Sequence, residues 1–291
     1  MRVRIPASSA NLGPGFDCFG LAWQCWNEIE FIPGGDKLKI NGCPERFQNR
    51  ENLAFRGYLA VLEACGLKEE PLSIEFLKTE IPVSRGLGSS AALIAGGAAA
   101  ANALHGLGLS RDELLRIATP IEGHPDNIAP ALFGGLTVSA MEDGRALTAA
   151  FPLSSKLFFT ALIPDFELST ERSRSVLPAS VPRADAIFNV SRAALLLKAL
   201  ETGDGALLGL ALQDRLHQPF RTKLIPGFNR VRGLAESLGA AGLCISGAGS
   251  TLLCVAMGPD FSQEMASAMA ADFPGWQVRP ILPDVQGVQV F

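Results

Sequence analysis

Residues 85–92 read RGLGSSAA: two glycines, two hydroxyls and the start of an alanine-rich run. Gly86 and Gly88 let the backbone adopt positive φ and approach a ligand closely. Ser89 and Ser90 stand where the first amides of a helix lack internal partners. Such amides favour phosphate without any lysine, because the helix dipole places about half an elementary charge behind them. The hydroxyl of Ser89 or Ser90 could also serve Mg2+, a hard cation that takes oxygen ligands. The same residues read equally as a plain strand-to-helix turn with serine as its cap. A second polar group, EGHPDN at 122–127, brings together Glu122, His124 and Asp126, and Asp126 there could simply cap a helix over 127–132.

Rival chemistries lack their residues. The turn matches GxGxxA, a relative of the dinucleotide fingerprint. That fingerprint needs an acidic residue roughly 20 positions on, where this chain opens another helix with GLGLSRDE. Neither GxxxxGK[ST] nor GxSxG occurs, so phosphate-loop NTPases and α/β-hydrolases lose their main support. Cys18, Cys25, Cys43, Cys65, Cys244 and Cys254 form no CxxC pair and have no zinc-like histidine companions. They read as reduced core residues of a cytoplasmic protein. His105 and His217 read as structural histidines.

The chain of 291 residues is comfortable for two domains, with 48% hydrophobic and 19% charged residues to build packed interiors. A net charge of −4 gives no general attraction for nucleic acid or anionic lipid. The most apolar stretch, 91–104, is too short to span a bilayer and is built of Ala and Gly, which predicts a buried helix. The opening MRVRIPASSANLG lacks the apolar run of a signal peptide.

The elements that must carry these residues follow from periodicity. Short apolar or alternating runs at 2–5, 22–31, 37–40 and 72–76 predict strands. Leu53, Tyr58, Leu59 and Leu62 predict a helix over 52–65, with Gly66 as its stop. SRDELLRIA at 110–118 carries the Ser110/Glu113 capping box. Pro120, Pro125 and Pro130 predict that no unbroken helix runs on through IEGHPDNIAP. Residues 151–165 read as a linker followed by a fresh strand, with the domain boundary near Ser154 and helices expected over 184–200 and 227–238. Runs at 243–245, 252–256, 277–281 and 288–291 predict a second set of strands.

Four stretches in order, PASSANLGPGFD (6–17), PVSRGLGSSAA (82–92), EGHPDNIAPALFGG (122–135) and ISGAGSTLL (245–253), resemble the motifs of the GHMP family of small-molecule kinases. LSTERSRSVLP (168–178), FNVSRAALL (188–196) and DRLHQPFR (214–221) resemble its homoserine-phosphorylating branch, so the likeness covers most of the chain. The resemblance implies a two-domain α+β GHMP kinase fold. Residues 1–154 would form the N-terminal ATP-binding domain, ribosomal-protein-like with a left-handed βαβ crossover. Residues 155–291 would form a ferredoxin-like C-terminal domain, with the active site in the cleft between. The implied activity is ATP-dependent phosphorylation of the hydroxyl of L-homoserine to O-phospho-L-homoserine, in threonine biosynthesis. ATP is then the co-substrate and Mg2+ the ion, with no nucleic-acid or membrane partner and a possible homodimer. A GHMP kinase for another small alcohol, or a non-catalytic protein that kept the fold, are the alternatives.

Carried onto this sequence, the resemblance assigns Pro82, Val83, Ser84, Arg85, Gly86, Leu87, Gly88, Ser89, Ser90, Ala91 and Ala92 to ATP binding. It assigns Ser90 and Glu122 to the metal. Asn11, Asp17, His124 and Asp126 match acceptor contacts, and Asp126, Asn11 and Asp17 are the catalytic candidates. Arg174 and Arg221 match the clamp on the amino-acid carboxylate, with Arg172 a rival for the first. Some relatives pair an aspartate with a lysine near the first motif. Here Arg2, Arg4 and Ser8 or Ser9 stand in that neighbourhood, so Asp126 is expected to orient the acceptor more than take its proton. Ser250 replaces a proline often found in the SGAGST turn, which is expected to loosen slightly.

Overall fold

The computed structural model describes residues 1–291. Its frame is a long antiparallel pair, β1 (Arg2–Asn11) and β2 (Gly15–Pro33), joined by a tight turn. Alternation along β2 buries Ile29 and Phe31 while Glu28 and Glu30 face outward. β3 (Lys39–Asn41) pairs in parallel with β4 (Leu72–Thr79), which pairs with the far half of β2. The near half of β2 takes β5 (Leu136–Glu142), and β5 takes β6 (Arg145–Phe151).

Four helices pack on this sheet: α1 (Leu53–Ala64), α2 (Ser89–Leu104), α3 (Arg111–Glu122) and α4 (Ile128–Phe133). The Asn52 side chain caps α1 by accepting from the Ala54 amide, and the predicted box caps α3 through Ser110 and Glu113. The alanines of α2 are buried as expected. Its glycines let α1 lie almost backbone to backbone against it, since a Cβ on Gly97 would collide with the Ala54 carbonyl. The expected interruption is present, since residues 123–127 separate α3 from α4. α3 runs through Pro120 and ends only at Gly123, whose φ is 93°. Proline frees a single carbonyl, that of Arg116 one turn back, and both residues lie on the exposed side, where water can satisfy it.

The second sheet holds β7 (Phe158–Ile163), β8 (Gly242–Ile245), β9 (Leu252–Ala256) and β10 (Gln277–Ile281) in the order β10-β7-β9-β8, every pair antiparallel. Between β7 and β8 the chain forms α5 (Thr170–Ser175), α6 (Arg183–Thr202), α7 (Gly205–Ala211), α8 (Gln218–Arg221) and α9 (Phe228–Ser237). α10 (Phe261–Met269) links β9 to β10. This strand order with α9 and α10 as crossovers is the ferredoxin-like arrangement.

The last strand corrects the sequence reading. β11 (Gln289–Val290) joins the first sheet, Val290 opposite Val3, rather than the second. A short apolar run cannot specify its partner, and here it takes the edge of β1. Apolar packing is continuous from the first sheet into α6 and α7. All six cysteines are free; three are core residues, but Cys18 and Cys43 are half-buried and Cys65 is exposed. No helix is long and apolar enough to cross a membrane.

Candidate active site

A cavity of about 550 Å³ lies between the sheets. Its floor is the glycine turn. Gly86 and Gly88 have φ of 77° and 69°, and Gly88 stands directly before α2. A Cβ on Gly86 would strike the Ser246 carbonyl and one on Gly88 the Ser8 hydroxyl, so both glycines are required by space as well as by φ. The amides of Ser89, Ser90 and Ala91 make no hydrogen bond within the chain. The turn is held by a directed chain of bonds. Trp23 Nε1 donates to Ser9 Oγ at 2.7 Å, the Ser9 and Ser246 hydroxyls meet at 2.6 Å, and Ser246 Oγ donates to the Gly86 carbonyl at 2.5 Å. Of the expected ATP-binding stretch, Pro82, Val83, Ser84, Arg85, Gly86, Gly88, Ser89 and Ser90 line the cavity. Leu87, Ala91 and Ala92 turn into the core.

Ser90 Oγ donates to Glu122 Oε2 at 2.5 Å, so the end of α3 meets the start of α2 at the two candidate metal ligands. Burial raises the Glu122 carboxyl above its ordinary value, and the Ser90 bond only partly offsets this. A hydroxyl and one carboxylate are hard oxygen donors of the kind Mg2+ takes alongside phosphates and water. No cluster of three or more His, Cys, Asp or Glu that could hold a metal by itself exists.

The other end of the cavity is built from side chains. Asp126 is buried, and its Oδ1 is bound by His124 Nδ1 at 2.5 Å, so it does not cap α4. Burial pulls the His124 pKa down, but the bond to Asp126 and its charge outweigh it, and the net shift is upward. Asp17, in a left-handed backbone conformation, receives two bonds from Arg174 at 2.6 and 3.1 Å. Arg174 therefore lines the site, whereas its rival Arg172 is exposed on the outside of α5. Asn11 is spent on geometry: Oδ1 accepts from the Asp17 amide and Nδ2 donates to the Gly247 carbonyl, both at 2.9 Å. Arg221 is buried and its pKa is pushed down to about 10 by desolvation and by Arg174. All the acceptor-site residues expected from sequence thus reach one cavity.

The SGAGST turn lies against the glycine turn, as expected, but it is not loose. Ser250 is buried with its hydroxyl donating to the Phe166 carbonyl at 2.9 Å, and the Thr251 amide donates to the Arg85 carbonyl at 3.1 Å. A side-chain bond replaces the restraint that proline would supply. His105 is structural as expected, 2.7 Å from the Tyr58 hydroxyl. His217 is buried as a structural histidine would be, and its ring lies against Arg221. Its place four residues before Arg221, one helical turn away, is the signal that could have found it. Phe16, also missed, lies against His217, Arg174 and Arg221.

A glycine turn at a helix start, a hydroxyl–carboxylate pair and a charged acceptor pocket in the cleft of this two-sheet fold define a small-molecule kinase. The GHMP kinases N terminal domain matches residues 52–135 and the GHMP kinases C terminal matches residues 196–275. The chain belongs to the GHMP kinase family. Within it, a homoserine kinase of Clostridium botulinum (strain Okra / Type B1) is 41% identical over 292 residues, covering 100% of this chain and 98% of the relative. One from Clostridium beijerinckii is 39% identical, covering 99% and 97%. The crystal structure of homoserine kinase from Cytophaga hutchinsonii superposes with a TM-score of 0.89 at 29% identity over 100% of this chain and 97% of that one. L. major mevalonate kinase in complex with R-mevalonate shares the fold, with a TM-score of 0.73 at 16% identity over 97% and 95%.

Proposed function

We propose that this chain phosphorylates L-homoserine from ATP, giving O-phospho-L-homoserine and ADP. The observation that carries this reading is Arg221, a buried guanidinium with no carboxylate in ion-pairing range, at the end of a cavity that begins with a phosphate-binding turn. An uncommitted buried cation calls for an anionic acceptor, and an α-amino acid carboxylate suits its planar fork. The full-length likeness to homoserine kinases supports the same substrate.

The triphosphate would lie at the open amides of Ser89, Ser90 and Ala91, with adenine against the apolar lining of Cys43, Pro44, Phe47, Leu53 and Phe76. Ser90 and Glu122 would hold Mg2+, which supplies charge neutralisation at the transferring phosphoryl group when bound. On the acceptor side, Asp17 takes the ammonium, and Arg174 and Arg221 take the carboxylate. The δ-hydroxyl then points at the γ-phosphorus beside Asp126. In the reaction the δ-oxygen bonds to the γ-phosphorus as its bond to the β,γ-bridging oxygen breaks. The hydroxyl proton leaves for Asp126 or solvent. Asp126 Oδ1 is already held by His124, which leaves Oδ2 to accept the substrate hydroxyl's hydrogen bond. Positioning and charge neutralisation carry much of a phosphoryl transfer, so orientation is its larger contribution.

The test is phosphoryl-product detection with homoserine, threonine, shikimate and mevalonate under identical ATP and Mg2+. Homoserine should be the preferred acceptor. Equal or better turnover of mevalonate or shikimate would refute the substrate assignment, and no product from any acceptor would refute the activity.

A further inference from the structure

Arg221 and Arg174 are held in opposite ways. Arg174 is neutralised by Asp17. Arg221 donates only to neutral acceptors: Nε to the Ser173 carbonyl at 3.3 Å, and Nη1 to the Gly247 carbonyl at 3.2 Å and to His217 Nδ1 at 3.3 Å. The last of these is a side chain whose protonation state must be right. His217 is fully buried, and its Nε2 lies 2.7 Å from the Gly13 carbonyl oxygen. A carbonyl can only accept, so Nε2 carries the proton and Nδ1 offers its lone pair to Arg221. Asp214 Oδ2, 3.6 Å from Nε2, favours the same tautomer.

The ring is fixed on every side. The Asp214 carboxylate accepts from the amides of Leu216, His217 and Gln218 and from the Asn189 side chain, which locks the loop carrying the imidazole. Phe16 stacks on the imidazole with centroids 5.1 Å apart and lies 5.2 Å from the Arg221 guanidinium carbon. A carboxylate in place of the imidazole would quench the arginine, and a purely apolar residue would leave its Nη1 short of a partner. A neutral imidazole avoids both outcomes.

Building on the assignment of Arg221 to the acceptor's carboxylate, we propose that His217 is a positioning residue. As the neutral Nε2–H tautomer it turns and holds Arg221 without neutralising it, and so sets the preference for carboxylate-bearing acceptors without touching them.

Two measurements test this. The chain has three histidines, so long-range proton–nitrogen spectra of the 15N-histidine-labelled full chain can resolve each ring. His217 should show a protonated Nε2 and a bare Nδ1 at pH 7. A doubly protonated ring or the Nδ1–H tautomer would overturn the proposal, whatever the variants do. In kinetics, His217→Phe should lower kcat/KM for homoserine about 10- to 100-fold, chiefly through KM, the scale of one lost bond to a charged group. The KM for ATP should stay unchanged. 3-Aminopropan-1-ol, which is homoserine without its carboxylate, should be affected less than about threefold. His217→Asn, whose amide oxygen can stand in for Nδ1, should recover part of the loss. Equal losses for both acceptors would mean a merely structural histidine. Arg221→Met separates the two levels of the reading. If it leaves the preference for homoserine over 3-aminopropan-1-ol intact, the assignment of Arg221 itself fails. If Arg221→Met abolishes that preference while His217→Phe keeps it, only the role of His217 fails.

Discussion

The two ends of the cavity are built from different materials. The end proposed to hold phosphate is main chain: two left-handed glycines, open amides at the start of α2, and a hydroxyl relay from Trp23 to the Gly86 carbonyl. The end proposed to hold the acceptor is side chain: Asp17 with Arg174, His124 with Asp126, and the unpaired Arg221. Backbone amides recognise any polyphosphate and are removed only by distorting the turn. Charged side chains recognise one acceptor and can be removed singly. Generic nucleotide binding and particular acceptor choice should therefore be separable by mutation.

Asp126→Asn should have the largest effect, a fall in kcat of about 10²- to 10³-fold with little change in either KM, because orientation is lost while binding is kept. A fall beyond about 10⁴-fold at unchanged affinity would make Asp126 a true general base rather than an orienting group. Gly86→Val attacks the main-chain end. It places a branched residue at a φ of 77° and a Cβ against the Ser246 carbonyl. The expected loss is about 10²-fold in kcat/KM for ATP, comparable with removing one preorganised donor, with homoserine KM nearly unchanged. Equal damage to both KM values would show that the two ends are not separable.

The arginines divide the acceptor end further. Arg221→Ala removes a fully buried guanidinium and should raise homoserine KM about 100-fold. Arg174→Ala removes a half-exposed one already shared with Asp17, and about tenfold is expected. The reverse order, measured by initial-rate kinetics at saturating ATP, would contradict the contrast between a committed and an uncommitted cation.

Glu122 joins the ends, and its carboxyl is raised by burial above the ordinary glutamate value. A proton there competes with Mg2+, so apparent Mg2+ affinity should weaken as pH falls toward that raised pKa, by at most about tenfold per pH unit for one proton. Rates against Mg2+ at fixed ATP and several pH values measure it. Glu122→Gln should be weaker at every pH and lose the dependence.

What the sequence disclosed follows the same division. Features written in local backbone chemistry were legible: the glycine turn, the Ser110/Glu113 box, the helix that Asn52 caps and the buried alanine helix. Features set by distant partners were not. Arg172 and Arg174 are indistinguishable until the fold brings Asp17, 157 residues away, to one of them. β11 pairs with an edge at the opposite end of the chain, and the tolerance of α3 for Pro120 depends on which side faces water. His217 reads as a lone histidine because nothing local signals the Gly13 carbonyl, 204 residues away, that meets its ring.

The smallest effect expected is on stability, and it bears on whether the His124–Asp126 pair is charged. Burial alone would lower the His124 pKa, but Asp126 reverses the sign, so protonation is tighter in the folded state than in the unfolded chain. A group of that kind stabilises the fold fully below its unfolded pKa of about 6.5, and the contribution is lost as pH rises through the higher folded value. His124→Gln should therefore cost about 1.5–3 kcal/mol in urea unfolding at pH 6, the scale of a buried bond between charged partners. The cost should shrink steadily toward pH 9. A cost that stays level, or grows with pH, would mean that His124 meets Asp126 as a neutral ring.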